Sequence, residues 1–264
     1  MFKNLSIIAL AFFIISLSAC SAPPANTPPV ELTVAAASSM QTAFSEIGVL
    51  FEQESGHKVI FVFGSSGQLA QQIENGAPYD LFAAANIDFV DSLAKKNLVL
   101  PDTILIYARG RIVLAVNKAS GLQAVTLDDL LSDQITHIAI ANPEHAPYGV
   151  AAMEALQKTG IWEQVQTKLV YGENIRQALQ FVQTGDAQVG IVALSDANTS
   201  EISWTLLDGS LHNPLDQALA VVASSPNQDV ARQFADFVNS ASGIAILEKY
   251  GFVSPNKAIA IPTP

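Results

Sequence analysis

Leu-Thr-Val-Ala-Ala-Ala-Ser-Ser-Met spans residues 32–40, and Phe-Gly-Ser-Ser-Gly spans residues 63–67. In both stretches an apolar run of strand length ends at a pair of serines, and a segment with helical spacing follows. After the first pair, large apolar residues between 40 and 51 recur at intervals of four, three and four, which is typical of one helix face. The repeated order predicts an α/β fold in which both serine pairs lie at the ends of strands.

The same alternation continues along the chain. Strands are predicted at 32–37, 58–63, 81–85, 111–116, 138–141, 168–171, 189–193 and 218–223, and helices at 40–55, 67–75, 87–96, 126–131, 150–159, 174–183, 228–239 and 242–250. The strands are nearly continuous apolar runs, as expected of strands buried on both faces of a sheet. We therefore expect two α/β lobes, each a mainly parallel sheet flanked by helices.

No flexible Gly/Ser linker separates the two series, and a strand and two helices remain at the end of the chain. This order indicates that the chain crosses into a second lobe and returns to the first. We expect lobe 1 to comprise residues 31–108 plus 217–264 and lobe 2 to comprise residues 109–216. Two lobes joined in this way open and close about a hinge.

The N-terminal segment has a different composition. Residues 1–19 have a cationic start and an apolar middle, the layout of a secretory signal. Leu-Ser-Ala-Cys at 17–20 resembles the lipobox of bacterial lipoproteins, and Cys20 is the only cysteine in the chain. The proline-rich residues 20–30 favour an extended tether behind a lipidated Cys20 over the alternative, an incidental cysteine in a hydrophobic leader. We expect an extracytoplasmic protein anchored to a membrane surface.

Charge and composition exclude several classes of function. The net charge is -11, and Lys and Arg are not clustered, which argues against a nucleic-acid partner. A single cysteine allows no internal disulfide. Neither HExxH nor paired cysteines occur, so no cation site and no cofactor are expected. Asp80, just before a predicted strand, is expected to have a structural role.

The two serine pairs have a chemical interpretation. Ligands of open parallel sheets bind beyond the carboxyl ends of the strands, where helices begin. A helix N-terminus offers unpaired backbone N–H groups and the positive end of the peptide dipole, which together attract anions. Serine hydroxyls add donors, and Gly64 and Gly67 let the backbone approach closely. Serine is also a common N-cap, so simple capping remains the alternative at each pair.

A serine nucleophile at Ser66 is a rival interpretation with less support. Gly-Ser-Ser-Gly at 64–67 lacks the Gly-x-Ser-x-Gly pattern, because position 68 is glutamine. None of the four histidines, His57, His137, His145 and His212, has a recognisable base spacing to a serine and an acid. We therefore expect a binding protein and not an enzyme.

Several long segments, in order, resemble the molybdate-binding proteins of bacterial ABC importers. The likeness runs from about Leu32 to Val253. Its markers are residues 32–40 and 65–82, Asn-Pro-Glu-His-Ala-Pro-Tyr-Gly at 142–149, Glu-Ala-Leu-Gln-Lys-Thr-Gly-Ile-Trp at 154–162, Gly-Glu-Asn-Ile-Arg-Gln-Ala-Leu at 172–179 and Lys-Tyr-Gly-Phe at 249–252. The resemblance implies the two-lobed periplasmic binding protein fold of class II, a monomer, and a membrane permease as partner.

The resemblance also implies a set of ligand residues. Ser39 and Ser66 would each give hydroxyl and backbone contacts to a molybdate or tungstate oxyanion, while Tyr148 and Ile175 would give backbone N–H groups. One departure concerns a tyrosine whose hydroxyl reaches the ligand in a Gly-Ile-Val-Tyr segment of the family, where this chain has Ala193. That hydroxyl is then absent or replaced, and the candidates are Ser38, Tyr148 and Ser195.

The implied mechanism is capture of the oxyanion between the lobes, closure, and delivery to the permease. Distant surface carboxylates do not oppose it, because their field is screened over about 8–10 Å in physiological salt, while fixed N–H donors act at contact distance. Sulfate, phosphate or a small organic anion is the alternative ligand.

Overall fold

The structure, a computed structural model, describes residues 28–255. The predicted signal segment, Cys20 and the first part of the tether lie outside the described residues, as do residues 256–264.

The first lobe is built around a five-stranded sheet in the order β2-β1-β3-β10-β4. Its elements are β1 (Glu31–Ala37), α1 (Gln41–Ser55), β2 (Lys58–Gly64), α2 (Ser66–Glu74), β3 (Leu81–Ala84), α3 (Ile87–Lys95), β4 (Leu105–Gly110), β10 (Leu215–Val221), α7 (Gln228–Val238) and α8 (Ala241–Lys249). Helix α1 buries Phe44, Ile47 and Phe51, and it ends at Gly56, whose φ of 74° permits the left-handed C-cap. The predicted amphipathic helix is confirmed.

The second lobe contains the other five strands, in the order β7-β6-β8-β5-β9. Its elements are β5 (Ile112–Asn117), β6 (Ile138–Ala141), α4 (Pro147–Lys158), α5 (Trp162–Val165), β7 (Leu169–Gly172), α6 (Ile175–Thr184), β8 (Val189–Ala193) and β9 (Ile202–Leu206). The segment predicted as a helix at 126–131 is a 3-10 helix, Leu127–Leu131. Within residues 28–255, none of the helices is both long and apolar enough to cross a bilayer.

Both sheets are mixed, which differs from the mainly parallel sheets expected. In the first sheet β10 runs antiparallel to β3 and β4, and in the second β5 runs antiparallel to β8 and β9. The prediction of strand direction was wrong because β5 and β10 are buried almost throughout, and their apolar runs therefore look like those of parallel strands. Apolar continuity reports burial on both faces, and it does not report strand direction.

The chain passes between the lobes twice. It leaves the first sheet at Gly110, enters the second at Ile112, and returns between β9 and β10. Arg111 lies at the first crossing: its carbonyl accepts from the backbone N–H of Leu194 at 3.0 Å, and its Nε donates to the carbonyl of Gly251 at 3.1 Å. These crossings bring the carboxyl ends of β1 and β2 opposite the N-termini of α4 and α6.

Candidate anion-binding site

The first serine pair follows β1 directly. Ser38–Met40 forms a 3-10 turn that leads into α1. Ser39 is only 1% exposed, and its hydroxyl has no hydrogen-bond partner among the described residues. A buried hydroxyl without a partner is rare in folded proteins, and it indicates a missing ligand or water.

The two serines of the second pair make different contacts. Ser65 is the N-cap of α2 and accepts from the N–H of Gln68 at 3.4 Å, as the capping interpretation predicts. Ser66 is fully buried, and its Oγ accepts the backbone N–H of Ala85 at 2.9 Å. Capping therefore explains Ser65 but not Ser66.

A cavity lies between the lobes and joins both pairs. Its non-atom space is about 190 Å³, a volume that includes open solvent at its mouth. Its lining residues are Ala37, Ser38, Ser39, Gly64, Ser65, Ser66, Ala85, Ala146, Pro147, Tyr148 and Ile175. The structure thus brings together all five residues expected at a ligand site: Ser38, Ser39, Ser66, Tyr148 and Ile175. None of the lining residues is charged.

The second lobe presents two helix starts to this cavity. Helix α4 begins at Pro147, three residues earlier than predicted, so Tyr148 lies in its first turn. Helix α6 begins at Ile175, and the side chain of its N-cap Asn174 accepts from the N–H groups of Arg176 and Gln177. The N–H groups of Tyr148 and Ile175 have no partner inside their own helices. The arrangement suits a small anion that needs hydrogen-bond donors from both lobes.

Comparison with known proteins identifies the family of the chain. A family profile described as bacterial extracellular solute-binding protein matches residues 32–253. The chain belongs to this family. The molybdate-binding protein ModA of Rhodobacter capsulatus is 34% identical to this solute-binding protein over 229 residues, which are 85% of this chain and 88% of the relative.

Two further relatives of the solute-binding protein cover most of its length. The putative ABC transporter substrate-binding lipoprotein YvgL of Bacillus subtilis (strain 168) is 32% identical over 263 residues, 96% of this chain and 100% of the relative. The solved structure of the Azotobacter vinelandii periplasmic molybdate-binding protein matches with a TM-score of 0.79 at 28% identity, over 85% of this chain and 100% of that one. The two-lobed α/β fold expected from the sequence is confirmed.

The solute-binding protein has Ala193 where the family motif suggested a tyrosine. Ala193 ends β8, opposite Ile112 at the hinge. Of the three candidate replacements, Ser195 donates its hydroxyl to the carbonyl of Ser39 at 2.9 Å, so its proton is already used. Ser38 lines the cavity but is a short side chain. Tyr148 both lines the cavity and carries a buried hydroxyl without a partner in the described chain.

Charged groups close to the cavity neutralise one another. The Oδ1 of buried Asp196 accepts from Arg176 Nη1 at 2.7 Å and from Thr42 Oγ1 at 2.7 Å, and so connects α1 with α6 across the lobes. Burial raises the pKa of Asp196, while the hydrogen bond from Thr42 and the charge of Arg176 act in the opposite direction. Arg176 is therefore paired with the Asp196 carboxylate, and the hydrogen-bond donors that line the cavity are uncharged.

A second connection between the lobes was missed by sequence reasoning. The Oγ of Ser65 lies 2.8 Å from Nδ1 of His145, and the backbone N–H of Gly67 donates to the carbonyl of His145 at 2.9 Å. Gln68 donates to Glu173 at 2.8 Å. These contacts form only when the lobes meet, so they cannot be predicted from the spacing of residues along the chain.

Asp80 has the structural role expected from the sequence. Its carboxylate accepts from the N–H of Thr33 at 2.7 Å and from the hydroxyl of Ser225 at 2.6 Å. No cluster of three or more metal-ligating side chains occurs within residues 28–255.

Proposed function

We propose that this chain is the extracytoplasmic molybdate-binding component of an ABC importer, holding the oxyanion between Ser39 and Ser66 of the first lobe and Tyr148 and Ile175 of the second. The observation that carries the proposal is the cavity between the lobes, lined by serine hydroxyls and helix starts and by no charged side chain. The names of relatives of 34% identity over most of the chain support the choice of ligand.

The size and chemistry of the cavity favour a small, fully deprotonated anion. About 190 Å³ of partly open space leaves no room for a large organic phosphate. Donors alone satisfy an oxyanion that carries no proton, whereas a protonated phosphate also needs an acceptor at the site. Tetrahedral molybdate and the similar tungstate meet both conditions, as does the smaller sulfate, and the names of the relatives favour molybdate among them.

Hydrogen bonds of this kind are strong enough to retain an anion without a cation. A hydrogen bond to a charged group is worth about 1.5–3 kcal/mol. Five to seven such donors offset desolvation of the anion and leave roughly −8 kcal/mol, which corresponds to a micromolar complex. Closure follows because only the closed form provides all donors at once.

Delivery requires a membrane permease, which would recognise the closed form. We further propose that Cys20 carries a lipid that holds the monomeric protein near that permease. The lipobox-like residues 17–20 support this anchor, as does the name of the relative YvgL. Labelling of expressing cells with an alkyne fatty acid tests the anchor: the wild type is expected to incorporate the label and Cys20→Ala to lose it, and equal labelling of both contradicts it.

Isothermal titration of the purified mature domain with molybdate, tungstate, sulfate and phosphate tests the ligand. We expect tight binding of molybdate and tungstate, weak binding of sulfate, and no heat from phosphate. Tight phosphate or sulfate binding without molybdate heat would reassign the protein to another oxyanion.

A hydrolase remains the rival because the structure places a histidine beside a serine. The serine is Ser65 and not the expected Ser66, and His145 lies 3.7 Å from the exposed Glu173, beyond hydrogen-bonding distance. Ser65 also caps α2, a role that explains this serine without catalysis. Ester hydrolysis that disappears in Ser65→Ala or Ser66→Ala would favour the enzyme; we expect no hydrolysis by the wild type.

A further inference from the structure

The hydroxyl of Ser66 is oriented by the protein itself. Its Oγ accepts the N–H of Ala85 at 2.9 Å, which occupies one lone pair from the side of the sheet. A serine hydroxyl has one proton and two lone pairs, so a donor behind it directs the proton to the opposite side. For Ser66 the opposite side is the cavity, and the hydroxyl is therefore set as a donor.

Ser39 has no backbone N–H in the equivalent position. Its carbonyl accepts from Ser195, but its hydroxyl has no hydrogen-bond partner in the described chain. A candidate partner is the hydroxyl of Tyr148, which interacts with Ser39 and Gln217 and lines the same cavity as Ser39, but has no hydrogen bond within the described residues. Ser39, Tyr148 and Gln217 are exposed by 1%, 2% and 0%, so bulk water does not satisfy them.

The position of the Tyr148 hydroxyl is fixed by the hinge. A Cβ added to Gly110 would collide with Tyr148 Oη and would lie 2.9 Å from Gln217 Nε2. The amide nitrogen of Gln217 donates to the carbonyls of Ala85 and Leu215, both at 3.2 Å, and a nitrogen donor cannot accept the tyrosine proton. Two buried oxygens in this region lack a partner in the described chain, Gln217 Oε1 and Ser39 Oγ, and of these only Ser39 lines the cavity together with Tyr148. Ser39 Oγ is therefore the acceptor through which Tyr148 can act on the cavity.

Burial raises the pKa of Tyr148, so its hydroxyl stays protonated and remains a donor at neutral pH. Phenolic and serine hydroxyls in a chain polarise one another, which strengthens the terminal donor.

We propose that Tyr148 is a positioning residue for anion binding: its hydroxyl donates to Ser39 Oγ and directs the Ser39 proton into the cavity, as the Ala85 N–H does for Ser66. The inference rests on the proposed function and adds a side-chain role for Tyr148 to the backbone contact. It also gives a reason for selectivity. A serine whose lone pair is occupied donates its proton to the anion, and it cannot readily accept the proton of a protonated ligand such as hydrogen phosphate.

A double-mutant cycle tests this relay, the hydrogen bond from Tyr148 to Ser39 that directs the Ser39 proton into the cavity. Tyr148→Phe, Ser39→Ala and the double variant are titrated with molybdate, and also with sulfate and phosphate. Tyr148→Phe keeps the backbone N–H and is expected to weaken molybdate binding about tenfold, the effect of one lost hydrogen bond. In the Ser39→Ala background the same change is expected to alter affinity less than about twofold, because the relay ends at Ser39.

Thr199→Val is the matched control, since it removes another buried hydroxyl without a partner in the described chain, outside the cavity lining. It is expected to leave affinity unchanged, and thermal melts of all variants check the fold. The relay is overturned if Tyr148→Phe binds like the wild type, or if it costs the same factor with and without Ser39. If the wild type prefers sulfate or phosphate, the cycle is read on that anion, and the relay is judged separately from the molybdate assignment; binding of none of the three overturns both.

Discussion

The two serine pairs look alike in the sequence and differ in the structure. At 65–66 one serine caps α2 and the other is oriented by the Ala85 N–H. At 38–39 neither serine caps a helix, and the Ser39 hydroxyl is left without a partner in the described chain. One donor is thus built into a single lobe, while the other is completed only when Tyr148 arrives from the second lobe. The difference explains how a site made of ordinary serines can sense closure.

Alanine substitution of Ser39 and of Ser66 is expected to show the largest difference between the two serine pairs. We expect Ser66→Ala and Ser39→Ala each to weaken molybdate binding by about ten- to a hundredfold, the effect of one lost hydrogen bond to a charged ligand. Ser66→Ala should also lower the free energy of unfolding by about 1–3 kcal/mol, because the Ala85 N–H loses its buried acceptor. In the ligand-free protein Ser39→Ala should change unfolding much less, because Tyr148 comes from the other lobe and its hydroxyl meets water when the lobes separate.

Isothermal titration and urea unfolding measure the two quantities. Equal loss of stability in both variants would show that the serine hydroxyls are held in the same way, contrary to the comparison.

Filling the space above Gly110 should affect only the first pair. Gly110→Ala collides with Tyr148 Oη, so we expect about tenfold weaker molybdate binding and a loss of about 1–3 kcal/mol in unfolding free energy from overpacking. Adding Tyr148→Phe removes the colliding oxygen and should restore part of the stability. Titration and urea unfolding of both variants check this, and a double variant no more stable than Gly110→Ala would contradict the assigned position of the hydroxyl.

The contact beside the second pair should matter less. His145→Ala removes the side-chain contact with Ser65 but keeps the backbone bond from Gly67. We expect affinity for molybdate to fall about two- to fivefold, since partly exposed polar contacts contribute little. His137→Ala, at an exposed site in the second lobe, is the control. If His145→Ala lost more affinity for molybdate than Ser39→Ala, the contact beside the second pair would matter more than the first pair, contrary to the comparison.

The Asp196 connection beside the first pair should have a small pH signature. Burial raises the folded-state pKa of Asp196 above its ordinary 3.8, so between these values the folded chain holds a proton that the unfolded chain lacks. The unfolding free energy of the wild type relative to Asp196→Asn should therefore fall as pH rises through this window and level off above it.

Urea unfolding from pH 3.5 to 7 at constant ionic strength measures that difference. Asp129→Asn is a control of opposite sign, because hydrogen bonds from the Thr126 and Val125 N–H groups lower the pKa of Asp129. Its stability difference should rise with pH. A rise for Asp196 as well would mean that Arg176 outweighs burial.

The sequence predicted the elements whose residues carry periodic apolar patterns. Helix α1 and strands β1 and β3 were found because each buries a set of apolar side chains, and β2 was found because most of its residues are apolar although they are only partly buried. Strands β4 and β9 were missed because their apolar runs are interrupted: β4 contains Arg109, and most residues of β9 are exposed or only partly buried. Strand direction in β5 and β10 was also not readable, because burial on both faces gives the same apolar run in either orientation.

The candidate site was predictable where it depends on strand ends and helix starts. Ser39 and Ser66 follow apolar runs, and Tyr148 and Ile175 came from the resemblance and lie at helix starts. The pairing of Ser65 with His145 was not predictable, because it depends on contact between the lobes. The Tyr148 side chain was only one of three candidates until the hydrogen bond of Ser195 was known.

Crystals of the mature domain soaked in molybdate, measured at the molybdenum absorption edge, test the central claim directly. The account predicts one anomalous peak in the cavity, with oxyanion oxygens at hydrogen-bonding distance from Ser39 Oγ, Ser66 Oγ and the N–H groups of Tyr148 and Ile175. A peak elsewhere, or an oxyanion held by a lysine or arginine side chain, would contradict it.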